Sequence, residues 1–149
     1  MYLCTLQVCK GKKRINLIMK AKALRNLDSA QKLIDNKLYT NSVHCSYYAV
    51  FQYMKYMLAN TDRNPITLED QDTTAKGESS HEYILNQIKE RINSSPKQER
   101  NFTEGVRLLK KERVDADYTT RVFTDIESIE CKDRANGLIT NLKTYFGNL

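Results

Sequence analysis

The sequence has no tryptophan, only two prolines and only five glycines among its 149 residues. So few turn-forming residues exclude a sandwich or barrel with many tight turns. No apolar run approaches the roughly 20 residues that span a bilayer, which argues against a transmembrane helix. A chain of this length buries about 68–70% of its unfolded surface, so it needs neither disulfide nor metal for stability.

Known signatures of catalytic and metal sites are also missing. The four cysteines, at positions 4, 9, 45 and 131, form no C-x-x-C pair and stand at no ligand spacing from a histidine. There is no glycine-rich phosphate loop, no H-E-x-x-H and no G-x-S-x-G. We therefore predict no metal and no cofactor. Unpaired cysteines suit a reducing compartment, and a basic cluster that follows the apolar residues 1–9 is the reverse of a signal peptide, so we expect a cytoplasmic protein.

The net charge of +6 is concentrated near the N-terminus. Residues 1–37 contain nine Lys/Arg and two Asp, whereas residues 38–149 contain fifteen Lys/Arg and sixteen Asp/Glu. Clustered cations such as Lys12, Lys13 and Arg14 favour a phosphate-bearing partner, because binding releases counterions. The alternative is a solvated first helix with a lysine-rich face.

The most strongly patterned stretch is residues 42–58. It contains no Gly or Pro, and its apolar residues recur at steps of four and three, which predicts one helical face. The residues of this stripe are Val43, Tyr47, Val50, Met54 and Met57. Because apolar side chains cover much of its circumference, we expect this helix to lie at the centre, covered by the others.

The remaining segments also have helical periodicity, so the sequence predicts an all-α protein with four long helices and a shorter fifth. Ser79-x-x-Glu82 and Thr124-x-x-Glu127 match the capping box and predict two helix starts. Gly137 inside the last helix suggests a close contact there. Residues 1–18 are predicted to be a tail or an extension of helix one, and residues 19–149 a single domain. The predicted helices are 13–34, 38–60, one opening at Ser79, 97–113 and one opening at Thr124, with a polar connection at 61–77.

Few side chains are candidates for chemistry. His81, in the first turn of helix three, could act as a general acid or base, and so could His44. Arg113 and Asp117 are four apart and could pair across one turn, with Tyr118 beside them, as a phosphate-binding arginine held by a carboxylate. Each has a structural alternative: a hydrogen-bonded histidine inside the bundle, an exposed histidine without a role, or a charged pair that ties two helices together.

Three fragments, residues 38–51, Ser80-His81 and residues 113–118, together resemble the HEPN (higher eukaryotes and prokaryotes nucleotide-binding) superfamily. Residues 38–43, followed by Tyr47-Tyr48-Ala49-Val50-Phe51, are similar to its helix-two signature. Residues 113–118, RVDADY, are similar to the R-x-x-A-D-Y of its YYA-containing branch, and Ser80-His81 resembles the Ser/Thr-His that opens helix three there. The similarity extends over residues 19–146.

This resemblance implies an up-and-down helical bundle that forms homodimers and binds or acts on RNA or nucleotides. It also implies a setting in toxin–antitoxin, phage-defence or mobile-element systems, often with a nucleotidyltransferase partner. Active members cleave RNA with an Arg followed four to six residues later by His, and no Arg precedes His44 or His81 at that spacing. Cys45 stands where related proteins often carry an arginine.

Three functional hypotheses follow. The first is a HEPN-like module that binds RNA, a nucleotide or a protein partner without catalysis. The second is a metal-independent ribonuclease that uses His81 or His44 with Arg113. The third is a helical scaffold with no nucleic-acid role.

Overall fold

A computed structural model describes the backbone of residues 2–73, 79–147 and 149, and the side chains of these ranges from residue 17 onward. The described chain is helical and contains no strand, which confirms the all-α prediction. None of its helices combines the length and the apolar character needed to cross a membrane. The helices are α1 (Tyr2–Asp35), α2 (Tyr39–Asn60), α3 (Leu68–Thr73), α4 (Ser80–Lys89), α5 (Pro96–Tyr118) and α6 (Asp125–Phe146).

Helix α2 is the central element, as its apolar pattern predicts. Eleven of its 22 residues are buried, and the five stripe residues are at most 1% exposed. It packs against each of the other five helices in the described chain. Burial of a large apolar side chain contributes about 1.5–3 kcal/mol, so this helix organises the core.

Helix α1 begins at Tyr2, earlier than the predicted residue 13. Its leucines do not all lie on the face that packs against α2. Leu17 is 56% exposed and Leu24 is 39% exposed, whereas Ala23 and Ala30 are fully buried. Small side chains allow two helix backbones to approach closely, so Ala23 and Ala30 are buried, and Leu27 also packs against the core. The side chains of Lys12, Lys13 and Arg14 lie outside the described part of α1.

The predicted connection at residues 61–77 contains an additional short helix, α3, so the described part of the chain has six helices and not the predicted five. Thr67 begins it by accepting a hydrogen bond from the Asp70 backbone N–H at 3.1 Å. The buried Gln71 amide donates to the backbone oxygens of Lys55 and Ile66, at 3.0 and 2.8 Å. Residues 74–78 of this connection lie outside the described part.

N-terminal capping residues determine where α4 and α5 begin. The Ser79 hydroxyl accepts a hydrogen bond from the Glu82 N–H, as predicted, but the Glu82 carboxylate pairs with Arg107 of α5. Helix α5 begins at Pro96, after a Ser95–Gln98 capping box that the periodicity did not reveal. The pair between Glu82 and Arg107 therefore connects the first turn of α4 to α5.

Helix α5 runs to Tyr118, five residues beyond its predicted end, and α6 follows after six residues. The predicted capping box of Thr124 and Glu127 is present with both hydrogen bonds. Arg121, between the two helices, pairs with carboxylates from both sides, and its guanidinium carbon lies 4.1 Å from the centroid of the Phe123 ring. This connection fixes the last turn of α5, which contains Asp117.

The close contact expected at Gly137 is absent: outside its own stretch of helix, no heavy atom of the described residues lies within 4 Å of the position that a Cβ would take. Gly105 of α5 is the glycine in contact, because a Cβ there would be 3.1 Å from Leu138 Cδ2. The glycine whose lack of a side chain allows close packing is therefore Gly105 of α5 and not Gly137 of α6.

Candidate functional site

His81 lies where α4 meets the central helix. The Ser79 cap starts α4, so His81 occupies its first turn and its ring lies against α2. The ring centroids of His81 and Phe51 are 4.3 Å apart, and Nδ1 of His81 is 2.6 Å from the Tyr47 hydroxyl oxygen. The histidine is thus half-buried and held by a specific hydrogen bond.

The protonation states of this pair follow from their surroundings. Burial, followed by the positive charge of Arg113, lowers the pKa of His81 to about 4, and Lys110 and Lys55 contribute further. Burial also raises the pKa of Tyr47 well above its usual range, although Arg113 opposes the shift. At neutral pH the Tyr47 hydroxyl therefore donates to Nδ1 of His81, and the imidazole is neutral with its proton on Nε2.

Arg113 lies on the other side of the same tyrosine. Its side chain is buried, with 6% of the residue exposed, and its guanidinium carbon is 5.1 Å from the centroid of the Tyr47 ring and 5.5 Å from that of Tyr48. Its only ion pair among the described residues is with Asp117, at 3.5 Å from Nη1 to Oδ2. Nε has no hydrogen-bond partner in the part of the chain that the structure describes. Arg113 is therefore stabilised mainly by tyrosine ring faces.

His44 is held by the same carboxylate. Its Nδ1 is 3.0 Å from both oxygens of Asp117, and its ring centroid is 4.6 Å from that of Tyr48. Because an ionised carboxylate can only accept, Nδ1 of His44 carries the proton that is donated to Asp117. The His44 side chain is 48% exposed, so the prediction of a histidine inside the bundle is wrong.

A cleft of about 350 Å³ opens beside His44, between the end of α1, the first turns of α2 and the last turns of α5. We refer to it as the His44 cleft. Its half-buried lining is mostly apolar and its exposed lining is polar. Its half-buried lining includes Leu33, Cys45 and Ala116, and its exposed lining includes Asn41, His44 and Asp117.

The structure therefore brings together five of the residues singled out in the sequence, on three different helices. Asp117 contacts both His44 and Arg113, and His81 and Arg113 lie on either side of Tyr47. The Tyr118 ring is 6.0 Å from the Arg113 guanidinium carbon, and the residue is 76% exposed. Their roles in catalysis or binding remain predictions.

Periodicity alone did not reveal the polar roles of the two tyrosines. The apolar stripe places Tyr47 in the core, where it is fully buried, yet its hydroxyl bonds His81. Tyr48, outside the stripe, is half-buried between Arg113 and His44. A histidine one turn before two adjacent tyrosines was the available signal. Asn41 also lines the cleft from the first turn of α2, and no catalytic or metal-site motif in the sequence marks it.

The comparisons with known proteins agree with this architecture. Residues 18–145 match the sequence model of the HEPN domain, a range that includes α2, α4, α5 and every described residue of the site. A comparison with curated proteins gives no match. The match covers most of the chain, and the bundle of helices is the one that the resemblance implied. This chain therefore belongs to the HEPN domain family.

Proposed function

We propose that this HEPN chain binds single-stranded RNA or nucleotides without cleaving them. The observation that carries the proposal is the state of His81 and Arg113. Transesterification of RNA needs an acid and a base near the phosphate and a cation against its developing charge. His81, with a pKa near 4 and its Nδ1 bonded to Tyr47, is a poor acid at neutral pH, and Arg113 is buried.

The surroundings of the cleft support binding. The Tyr118 ring is exposed beside the Arg113–Asp117 pair and offers a face on which a base could stack. The basic residues of the N-terminal segment, Lys12, Lys13 and Arg14 among them, supply charge for the phosphate backbone. Base contacts in the cleft and phosphate contacts along the basic segment would then act on one strand.

Fluorescence anisotropy with a labelled 12-nucleotide single-stranded RNA tests the proposal. We expect salt-sensitive binding, and replacing Lys12, Lys13 and Arg14 by Gln together should reduce the slope of log K against log salt by about 2. A matched triple variant at the exposed Lys97, Arg100 and Lys143 removes the same charge and should change the slope less. Absence of RNA and nucleotide binding at low salt would contradict the proposal.

A second candidate, a metal-independent ribonuclease, is favoured by one observation at His44. The Asp117 carboxylate accepts a hydrogen bond from Nδ1 of His44, and the His44 side chain is 48% exposed, which is the arrangement of an oriented general base. This function predicts RNA cleavage that is lost in His44→Ala and retained in His81→Gln. Arg113 would need to move to reach a phosphate, because it is buried.

We also propose that the chain forms a homodimer, with a nucleotidyltransferase-type partner in a toxin–antitoxin, defence or mobile-element setting. Besides Tyr118, large apolar side chains are exposed near the α5–α6 connection: Val122 at 81%, Ile126 at 64% and Ile129 at 40%. Such a group on one surface fits a protein interface. Sedimentation equilibrium should give twice the 17.3 kDa chain mass, and Val122→Lys should shift the equilibrium toward monomer; a wild-type monomer at micromolar concentration would contradict the proposal.

A further inference from the structure

The exposed face of α5 combines basic side chains with an aromatic ring. Residues on this face recur at steps of four, three and four, so they lie in one row along the helix: Arg107, Lys111, Val114 and Tyr118. All four are exposed, with Tyr118 at 76% and the Arg107 side chain at 53%. Lys110 is half-buried beside them, and Glu104, one turn before Arg107, ends the basic stretch. We refer to Arg107, Lys110, Lys111 and Tyr118 as the α5 row.

The two lysines of the α5 row are not neutralised within the described part of the fold. Lys110 and Lys111 make no hydrogen bond and no ion pair with any residue that the structure describes. The next two carboxylates of α5, Glu112 and Asp115, both pair with Arg121. The charge of the lysines is therefore available to an anion that approaches from solvent.

The positive charge extends from the exposed face of α5 to the start of α4. Arg107 pairs with Glu82 in the first turn of α4, so this part of the row faces that helix. Lys110 lies three residues further on, and its charge contributes to the lowered pKa of His81, after burial and the charge of Arg113. A phosphate here would meet lysines that have no structural ion pair to break.

Tyr118 adds an open ring face to the row. Its ring centroid is 6.0 Å from the guanidinium carbon of the buried Arg113, and most of its surface meets solvent. Tyr118 and Lys111 are seven residues apart, which is about 10 Å along the helix axis. Proteins hold single-stranded nucleic acid with cations that contact the phosphates and aromatic rings that stack on the bases. A duplex keeps its bases stacked on one another, so only a single strand offers a base to this ring.

We propose that the α5 row binds a single strand of RNA, with Lys110 and Lys111 contacting its phosphates and Tyr118 stacking on an unpaired base. Stacking uses the face of a base and not its edge, so this surface tolerates any base. It adds phosphate contacts on α5 to those proposed for the N-terminal segment. This inference rests on the proposed RNA or nucleotide binding.

Fluorescence anisotropy of a labelled 12-nucleotide RNA with the full chain tests the phosphate contacts. Each phosphate contact with a single strand changes the slope of log K against log salt by about 0.7, so Lys110→Gln combined with Lys111→Gln should reduce the slope by about 1.4. The matched control, Lys97→Gln with Lys143→Gln, removes the same charge at the start of α5 and the end of α6 and should leave the slope nearly unchanged. An equal change in both double variants would show that only the net charge matters and would overturn the inference.

Two Tyr118 variants test the stacking separately. Tyr118→Ala should weaken binding about tenfold at an unchanged salt slope, because it removes a stacked ring and no charge. Tyr118→Phe keeps the ring and should bind within about twofold of the wild type. Since the residue is exposed, neither change disturbs the core. Wild-type affinity of Tyr118→Ala, or equal losses in the two variants, would overturn the stacking.

The outcomes separate this inference from the proposed function. Salt-sensitive RNA binding that none of the α5 variants changes would overturn the inference and leave the proposed function intact, whereas no binding of any RNA or nucleotide would overturn both. Competition identifies the class of partner: a duplex of the same sequence and polyglutamate should each compete about tenfold less well than the unlabelled single strand. Polyglutamate that competes as well as RNA would assign the row to an acidic protein and overturn the inference.

Discussion

Replacing Arg113 by alanine should lower the free energy of unfolding by about 3 kcal/mol, because it removes a buried stem and the cation between three tyrosine rings. Arg113→Met keeps an apolar stem of similar length and should cost only about 1 kcal/mol, since Asp117 retains His44 as a partner. Urea denaturation measures both variants. Arg107→Ala on the same helix is the matched control, because that guanidinium is 53% exposed and an exposed ion pair contributes about 0–1 kcal/mol.

The Arg113 variants have an electrostatic consequence that packing alone would not cause. The charge of Arg113 is the second largest cause of the lowered His81 pKa, after burial. Arg113→Met should therefore raise the pKa of His81 in an NMR titration, whereas the Arg107 control should not raise it. An unchanged pKa in a folded Arg113→Met protein would contradict the arrangement of His81 and Arg113 around Tyr47.

Acidification should destabilise the fold through His81. Its folded pKa of about 4 lies below the unfolded value near 6.5, so between these values the unfolded state binds more protons. Stability is therefore present above about pH 6.5 and is lost as the pH falls toward 4. Because His81 is only half-buried, solvent screening reduces the expected loss to about 1–2 kcal/mol.

The comparison of wild type with His81→Gln isolates this contribution from the carboxylates that titrate over the same range. The difference between the free energies of unfolding at pH 7.5 and at pH 4.5 should be smaller in the variant than in the wild type. Tyr47→Phe, which removes the hydroxyl donor to Nδ1, should cost about 1–2 kcal/mol at pH 7.5. An identical pH dependence in wild type and His81→Gln would show that His81 is not held neutral in the fold.

The parts of the fold that were predicted correctly depend on local information. The stripe of α2 repeats at a helical period, and Thr124-x-x-Glu127 satisfies its own backbone donors within one turn, so neighbours in sequence are enough. On α1 the apolar residues do not all face the core: Ala23 and Ala30 are fully buried, whereas Leu17 and Leu24 are exposed. Periodicity does not show this, because small side chains are what allow two helices to approach closely. The end of α5 was placed too early because a run of basic residues suggested a C-terminus at Arg113.

In the candidate site, too, the features that depend on neighbours in sequence were predictable and the long-range contacts were not. The pairing of Arg113 with Asp117 follows from their spacing of four, and the capping serine places His81 in a first turn. The contacts that define the chemistry connect distant positions: Tyr47 and His81 are 34 residues apart, and His44 and Asp117 are 73 apart. These contacts depend on how α4 and α5 pack on α2, which no single segment encodes.

Whether a bound RNA stays full-length tests the central claim, binding without cleavage, most directly. Excess protein is incubated with end-labelled single-stranded RNA of mixed sequence at neutral pH without added metal, and each sample is divided between a native and a denaturing gel. The account predicts a retarded complex on the native gel and full-length RNA on the denaturing gel. Shortened products that disappear in His44→Ala or His81→Gln would contradict it.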